Sequence, residues 1–177
     1  MIGHQVPDAV FHTRLRNEAL GGANPYKWKQ LTSRDVFGGR NIVLFALPGA
    51  FTPACSESHL PGYEAHYDDF MARGIDEVVC LSVNDAFTMF QWARAQSISR
   101  VFMLPDGNAD FTRLMGMLVS RRNTGMGQRS WRYSMHAVDG EIRRIFAEPG
   151  FRDEPEGVPV NVSAAGVMLD YLTTAAR

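Results

Sequence analysis

The stretch VLFALPGAFTPACSESHLPGY, residues 43–63, carries one cysteine, Cys55, three residues after Thr52 in a turn stiffened by Pro48 and Pro53. A thiol does chemistry as its thiolate, which is both nucleophile and metal ligand. An apolar run ends at this turn and a helix-like pattern follows, so Cys55 falls at a helix start. Backbone N–H groups left unpaired there, and the helix dipole, both favour negative charge. Thr52 offers a hydroxyl from the same turn. Gly49 permits an unusual backbone angle while the prolines restrict the rest. The residues alone leave two readings open: a structural free cysteine in a loop, or a reactive thiol held in one geometry.

Cys55, His59 and His66 invite a comparison with metal sites. Cys55 and His59 are one helical turn apart, but Pro61 disturbs the helix before His66 and no carboxylate completes the set. No metal is expected. Glu57 and His59 are expected to cap and order the first turns, with His59 at the rim of a pocket. The second cysteine, Cys80, lies inside the apolar stretch VVCLSV, where it reads as a small hydrophobe made inert by burial. Two cysteines without a C-x-x-C pair exclude a disulfide framework and weaken a general disulfide oxidoreductase.

The elements that must position Cys55 follow from periodicity and punctuation. Residues 9–16 alternate loosely and can pair with 26–31 across GGANP. TSRDVF reads as a helical turn capped by Thr32 or Ser33. NIVLFAL and EVVCLSV read as buried strands and RVFMLPD as a third. Helical patterns fill 56–73, interrupted near Pro61-Gly62, then DAFTMFQWARAQS and ADFTRLMGML. WRYSMHAV, DG and EIRRIFAE form a hairpin signal. NVSAAGVMLDYLTTAA reads as a terminal helix opened by Asn161 or Ser163. Strand–helix–strand units followed by a hairpin predict an α/β chain with a mixed central sheet flanked by helices. A thioredoxin-like order satisfies this. A flavodoxin-like doubly wound sheet is the alternative, and the late hairpin argues against it.

The whole chain, 177 residues, is expected to form a single domain over 1–177. With 18 basic and 19 acidic side chains it lacks the electrostatic footprint of a nucleic-acid binder. The cluster Arg121, Arg122, Arg129 and Arg132, with Trp131 and Tyr133, is too short a basic face to change that, and Arg129 reads as a solvated loop charge. No stretch approaches a membrane span, and MIGHQVPDAVF lacks the pattern of a signal peptide, so a cytoplasmic protein is expected.

PGAFTPACSESHLPGY resembles the active-site segment of the peroxiredoxins, in particular the peroxiredoxin 5 type. The likeness continues through GIDEVVCLSVNDAFTMFQWARA and PDGNADFTRLMGML to GQRSWRYSMHAVDG, and so spans most of the chain. Pro-x-x-x-Thr-x-x-Cys is a specific motif. The resemblance implies a peroxide-reducing thioredoxin-like fold without cofactor. In it Cys55 is the peroxidatic cysteine, Pro48 and Thr52 belong to its motif, and Arg132 completes the pocket from a distance. The residue chemistry agrees: donors such as the Thr52 hydroxyl and the Cys55 N–H can face the leaving oxygen, and a guanidinium favours thiolate.

One departure from the family is informative. Many relatives of this type carry a resolving cysteine between the hairpin and the final helix, and here AEPGFRDEPEGVPVNVSAAG contains none. The later blocks resemble bacterial forms fused to a glutaredoxin domain, and the sequence reaches Arg177 without one. The resemblance therefore implies glutathione as reducing co-substrate with a separate glutaredoxin as partner. Thioredoxin is the alternative reductant, and a homodimer is implied. A peroxide sensor that passes its oxidation to a protein partner is the competing functional class. For the sulfur to be reached, the turn 55–60 is expected to unwind on oxidation, limited by Pro61-Gly62.

Overall fold

The N-terminal alternation resolves into a hairpin in which β1 (Val10–Arg16) pairs antiparallel with β2 (Tyr26–Thr32), Val10 opposite Thr32. The computed structural model describes residues 1–23 and 25–175, so Asn24 of the GGANP turn lies outside the described residues, as do 176 and 177. Thr32 caps α1 (Ser33–Phe37): its hydroxyl accepts from the Asp35 N–H and the Asp35 carboxylate accepts from the Thr32 N–H, a reciprocal capping box.

The remaining strands are β3 (Asn41–Leu47), β4 (Glu77–Ser82), β5 (Phe102–Pro105), β6 (Leu118–Arg121), β7 (Gly127–Ser130), β8 (Tyr133–Val138) and β9 (Glu141–Ala147). The central sheet has the order β5-β4-β3-β8-β9. β3 pairs parallel with β4 on one side and antiparallel with β8 on the other, so the sheet is mixed. Asp139 and Gly140 join β8 to β9 with φ of 48° and 77°, the two left-handed residues of a tight hairpin turn. β6 and β7 form a separate two-stranded ribbon that the sequence patterns did not signal.

Alternation along β3 divides the core. Ile42, Leu44 and Ala46 face a cluster with Phe37, Phe111 and Trp131, whereas Val43, Phe45 and Leu47 face a cluster with Cys55, Tyr63, Cys80 and Trp92. The second face is covered by α2 (Leu60–Ala65), α3 (Tyr67–Met71), α4 (Ala86–Ala95) and α6 (Ala165–Ala175), and α5 (Asp110–Leu114) lies on the first. Two expectations are corrected. The helix does not break at Pro61 but runs through it, and the last helix begins at Ala165, with the Ser163 hydroxyl engaged by Glu148 and the Asn161 N–H donating to the same carboxylate.

Candidate active site

β3 delivers the chain to a turn whose backbone is pinned from several sides. The Ala50 N–H donates to Asn84 Oδ1 at 2.9 Å, and the Ser82 hydroxyl donates to the same oxygen at 2.7 Å, tying the turn to the end of β4. Phe51 adopts φ 62° with its ring exposed, a left-handed conformation uncommon for a bulky residue. Pro48 and Gly49 are buried beneath this turn. The Thr52 hydroxyl donates to Gly49 O at 2.9 Å, so its proton is held inside the turn and its lone pairs remain to accept. That corrects the expectation of a Thr52 donor facing the leaving oxygen.

Helical backbone starts at Pro53, and the Ser56 N–H donates to Thr52 O at 3.0 Å, which makes Cys55 a first-turn residue. Cys55 is fully buried, not exposed in a loop. The turn Cys55–His59 is π-helical, and the Leu60 N–H reaches back five residues to Cys55 O. Pro61 follows at once, with no N–H to give to a carbonyl of that turn. The Ser58 hydroxyl donates to Ala54 O at 3.0 Å, supplying a donor where the widened ladder loosens. Single π turns of this sort cluster at functional sites.

The widened turn carries His59 inward. His59 is 1% exposed and packs against the stacked rings of Phe45 and Tyr63; its side chain makes no capping bond and does not sit at a rim. Its Nδ1 lies 3.1 Å from Arg132 Nη1 and its Nε2 lies 3.1 Å from Ser163 O. A guanidinium only donates, so Nδ1 must accept and Nε2 carries the proton given to Ser163 O. Burial, reinforced by the Arg132 charge, pushes His59 down to about 3, so it is neutral. Tyr63 also donates to Ser163 O, at 2.8 Å.

A ring of contacts closes behind His59. The Ser163 N–H and hydroxyl donate to Glu148 Oε1 at 3.0 and 2.7 Å, and the Asn161 N–H joins them at 2.7 Å. The Glu148 N–H donates to Arg132 O at 3.0 Å, returning the ring to its start. Arg132 itself is buried at the entry to β8, with Nε donating to Val158 O at 3.2 Å. Arg132 and Arg121 donate to nearby carbonyls of the same segment, Val158 O and Pro155 O, which brings the two guanidiniums to one region.

Two further guanidiniums enter this region. Arg121, at the end of β6, is 8% exposed. Arg129, from β7, is half-buried and not solvated. It donates from Nη1 to Val83 O at 2.6 Å and from Nε to Met126 O at 2.8 Å, against the Gly49 turn. Cys80 is also fully buried, opposite Phe45 in the middle of the sheet, and burial pushes its thiol well up. Cys55, Thr52, Pro48 and Arg132 are thus gathered by one end of β3 and β8. Among the described residues no group of three His, Cys, Asp or Glu side chains is placed to hold a metal ion. Glu148, the contact of Ser163 O with His59 and the burial of Arg121 have no local sequence signal and are revealed only by long-range contacts.

Comparison with known proteins fits this arrangement. A family model described as Redoxin matches residues 3–158. A peroxiredoxin of Synechocystis sp. is 52% identical over 172 residues, covering 97% of this chain and 91% of that protein. The chain belongs to the peroxiredoxin family. A hybrid peroxiredoxin of Haemophilus influenzae is 41% identical, covering 97% of this chain and 66% of its own length. Among solved structures, the Plasmodium falciparum antioxidant protein, a 1-Cys peroxiredoxin, superposes with a TM-score of 0.90 at 28% identity, covering 97% of this chain and 99% of that one. Reduced Prx3 of Vibrio vulnificus in complex with hydrogen peroxide gives 0.84 at 35% identity, covering 97% and 98%. The fold is therefore the thioredoxin-like fold of the peroxiredoxins, and this peroxiredoxin of the peroxiredoxin 5 type is a thiol peroxidase. No helix among the described residues is long and apolar enough to cross a membrane.

Proposed function

We propose that this peroxiredoxin reduces hydrogen peroxide and organic hydroperoxides at Cys55 by a one-cysteine route, with glutathione and a separate glutaredoxin closing the cycle. The Cys55 thiolate attacks the proton-bearing peroxide oxygen and the O–O bond breaks. The other oxygen leaves as hydroxide or alkoxide and takes up the proton the thiol released, giving water or alcohol, and Cys55 is left as a sulfenic acid. The Arg132 guanidinium, held by His59 and Val158, favours the thiolate and faces the developing charge. Thr52 accepts a hydrogen bond from the hydroperoxide O–H through the lone pairs its bond to Gly49 leaves available. Pro48 shields the sulfur from water.

The observation that carries the one-cysteine reading is the position of Cys80, fully buried in the middle strand with its thiol pushed up, while residues 148–164 contain no cysteine. Likeness to a protein titled a 1-Cys peroxiredoxin and to a hybrid peroxiredoxin supports the same reading. It includes a cytoplasmic homodimer without cofactor. Peptide-resolved mass spectrometry tests it after one equivalent of hydrogen peroxide and then glutathione. A glutathione adduct on Cys55 with Cys80 untouched is the expected result. A Cys55–Cys80 disulfide, or turnover sustained by thioredoxin and not by glutathione, overturns it.

A further inference from the structure

The guanidiniums of this region lack acidic partners. Arg121, Arg129 and Arg132 are buried or half-buried, and among the described residues none has a carboxylate within 4.0 Å. The acidic group of the surrounding network, Glu148, has its Oε1 committed to Asn161 and Ser163. Interior guanidiniums are ordinarily paired.

Arg121 is the least satisfied of the three. Arg129 makes bonds of 2.6 and 2.8 Å, and Arg132 holds His59 and Val158. Arg121 makes one long bond, Nη2 to Pro155 O at 3.3 Å, and its buried Nε has no partner. What covers it is a strap of irregular backbone between β9 and α6. The strap is docked on β6 by the Ser120 N–H on Asp153 Oδ1 at 2.6 Å and the Glu154 N–H on Ser120 O at 2.7 Å. Glu154 adopts φ 52°, a conformation costly for a residue with a side chain. The strap thus rests on a guanidinium that has more to donate than one carbonyl can take.

The geometry points to Arg121 as the residue that recognises a carboxylate of the thiol reductant at Cys55, the Pro155 carbonyl holding its place until the reductant arrives. This rests on the reading that glutathione, a thiol with two carboxylates, attacks the Cys55 sulfenic acid. In that step the glutathione sulfur bonds to Cys55 Sγ, the S–O bond breaks, and hydroxide leaves with the thiol proton as water. A carboxylate matches a guanidinium fork in two parallel bonds, which a lone carbonyl cannot do. The contact orients the incoming sulfur and discriminates glutathione from neutral thiols.

The test compares glutathione with its diethyl ester, which has the same thiol and no carboxylate. Rates of mixed-disulfide formation on peroxide-treated protein are measured by quenched mass spectrometry and normalised to thiolate concentration. Wild-type protein is expected to react about tenfold faster with glutathione, the size of one charge-assisted contact. Arg121→Gln should bring the ratio close to one, and Arg121→Lys should keep part of it. Because each ratio is internal to one protein, a general loss of activity or stability does not move it. Equal rates for the two thiols in wild type, or a ratio unchanged in Arg121→Gln, overturns the role of Arg121 alone. No adduct with glutathione at all overturns the glutathione reading and this inference with it.

Discussion

His59 offers two substitutions with opposite expected outcomes. The imidazole bridges Arg132 through Nδ1 and Ser163 through Nε2, both at 3.1 Å. Asparagine places its amide oxygen near the Nδ1 position, so His59→Asn keeps an acceptor for Arg132 and loses Ser163. Glutamine reaches the Nε2 position with its amide N–H, so His59→Gln keeps Ser163 and loses Arg132. A hydrogen bond from a charged donor contributes about 1.5–3 kcal/mol. If that bond is what aims the guanidinium at the reacting oxygens, its loss slows the peroxide step about ten- to hundredfold, at roughly 1.4 kcal/mol per tenfold.

The assay can use a reporter already in place. Trp92 is fully buried, and its Nε1–H donates to Ser56 Oγ at 3.0 Å, next to Cys55. Stopped-flow tryptophan fluorescence after mixing with hydrogen peroxide should follow oxidation directly. His59→Asn is expected to stay within a fewfold of wild type. His59→Gln should be slow, as the guanidinium swings away. If His59→Gln is as fast as His59→Asn, Arg132 does not depend on this contact and the argument is refuted.

The remaining expectations concern stability, the second cysteine and access. His59 is held down to about 3 against about 6.5 in the unfolded chain, so between those values the unfolded state binds the extra proton and stability rises with pH. Acidification from pH 7.5 to 5 should therefore cost about 2 kcal/mol through this group, read by urea unfolding, and His59→Asn should lose that share of the acid sensitivity. Glu148→Gln removes the charge from an acceptor of three bonds and should lower stability by about 2 kcal/mol without moving the strands. Cys80→Ala should cost about 1–2 kcal/mol as a small core deletion and leave glutathione-driven peroxide consumption intact; loss of turnover would make Cys80 a participant. In amide exchange, residues 56–60 should exchange faster in oxidised than in reduced protein, and equal rates would show that the turn stays wound.

Much of the fold was legible because its signals are local. Val43 to Leu47 and Val78 to Leu81 are apolar without interruption, as strands covered on both faces must be, and Asp139-Gly140 names its own turn. The β6–β7 ribbon was not legible. LVSR and GQRS carry no alternation, and the trace the sequence offers of the turn is the glycine pair Gly125 and Gly127, both at positive φ in the structure. The late helix start shows the same limit. Ser163 has the side chain of a cap, and only the fold reveals that Glu148 takes it.

The site divides along the same line, and the division has a physical cause. Thr52 and Cys55 share one turn, so their spacing can be read directly. Arg132 is 73 residues from the histidine it touches, and Ser163 is 104 residues from it. Such contacts follow from β8 lying beside β3 and from α6 packing over Tyr63, and neither fact is written in any short stretch. Burial is equally invisible locally. Cys55 has the neighbours of an exposed loop thiol, yet it is fully buried, and His59 looks like a solvated helix residue until the π turn rotates it inward. That rotation links two features of the site. One extra residue in the turn brings His59 to Arg132, and in the proposed cycle the same widened ladder, loosened ahead of Pro61, is the backbone that opens for glutathione. If one turn both aims the guanidinium and opens to the reductant, a variant that straightens it should lose both properties together.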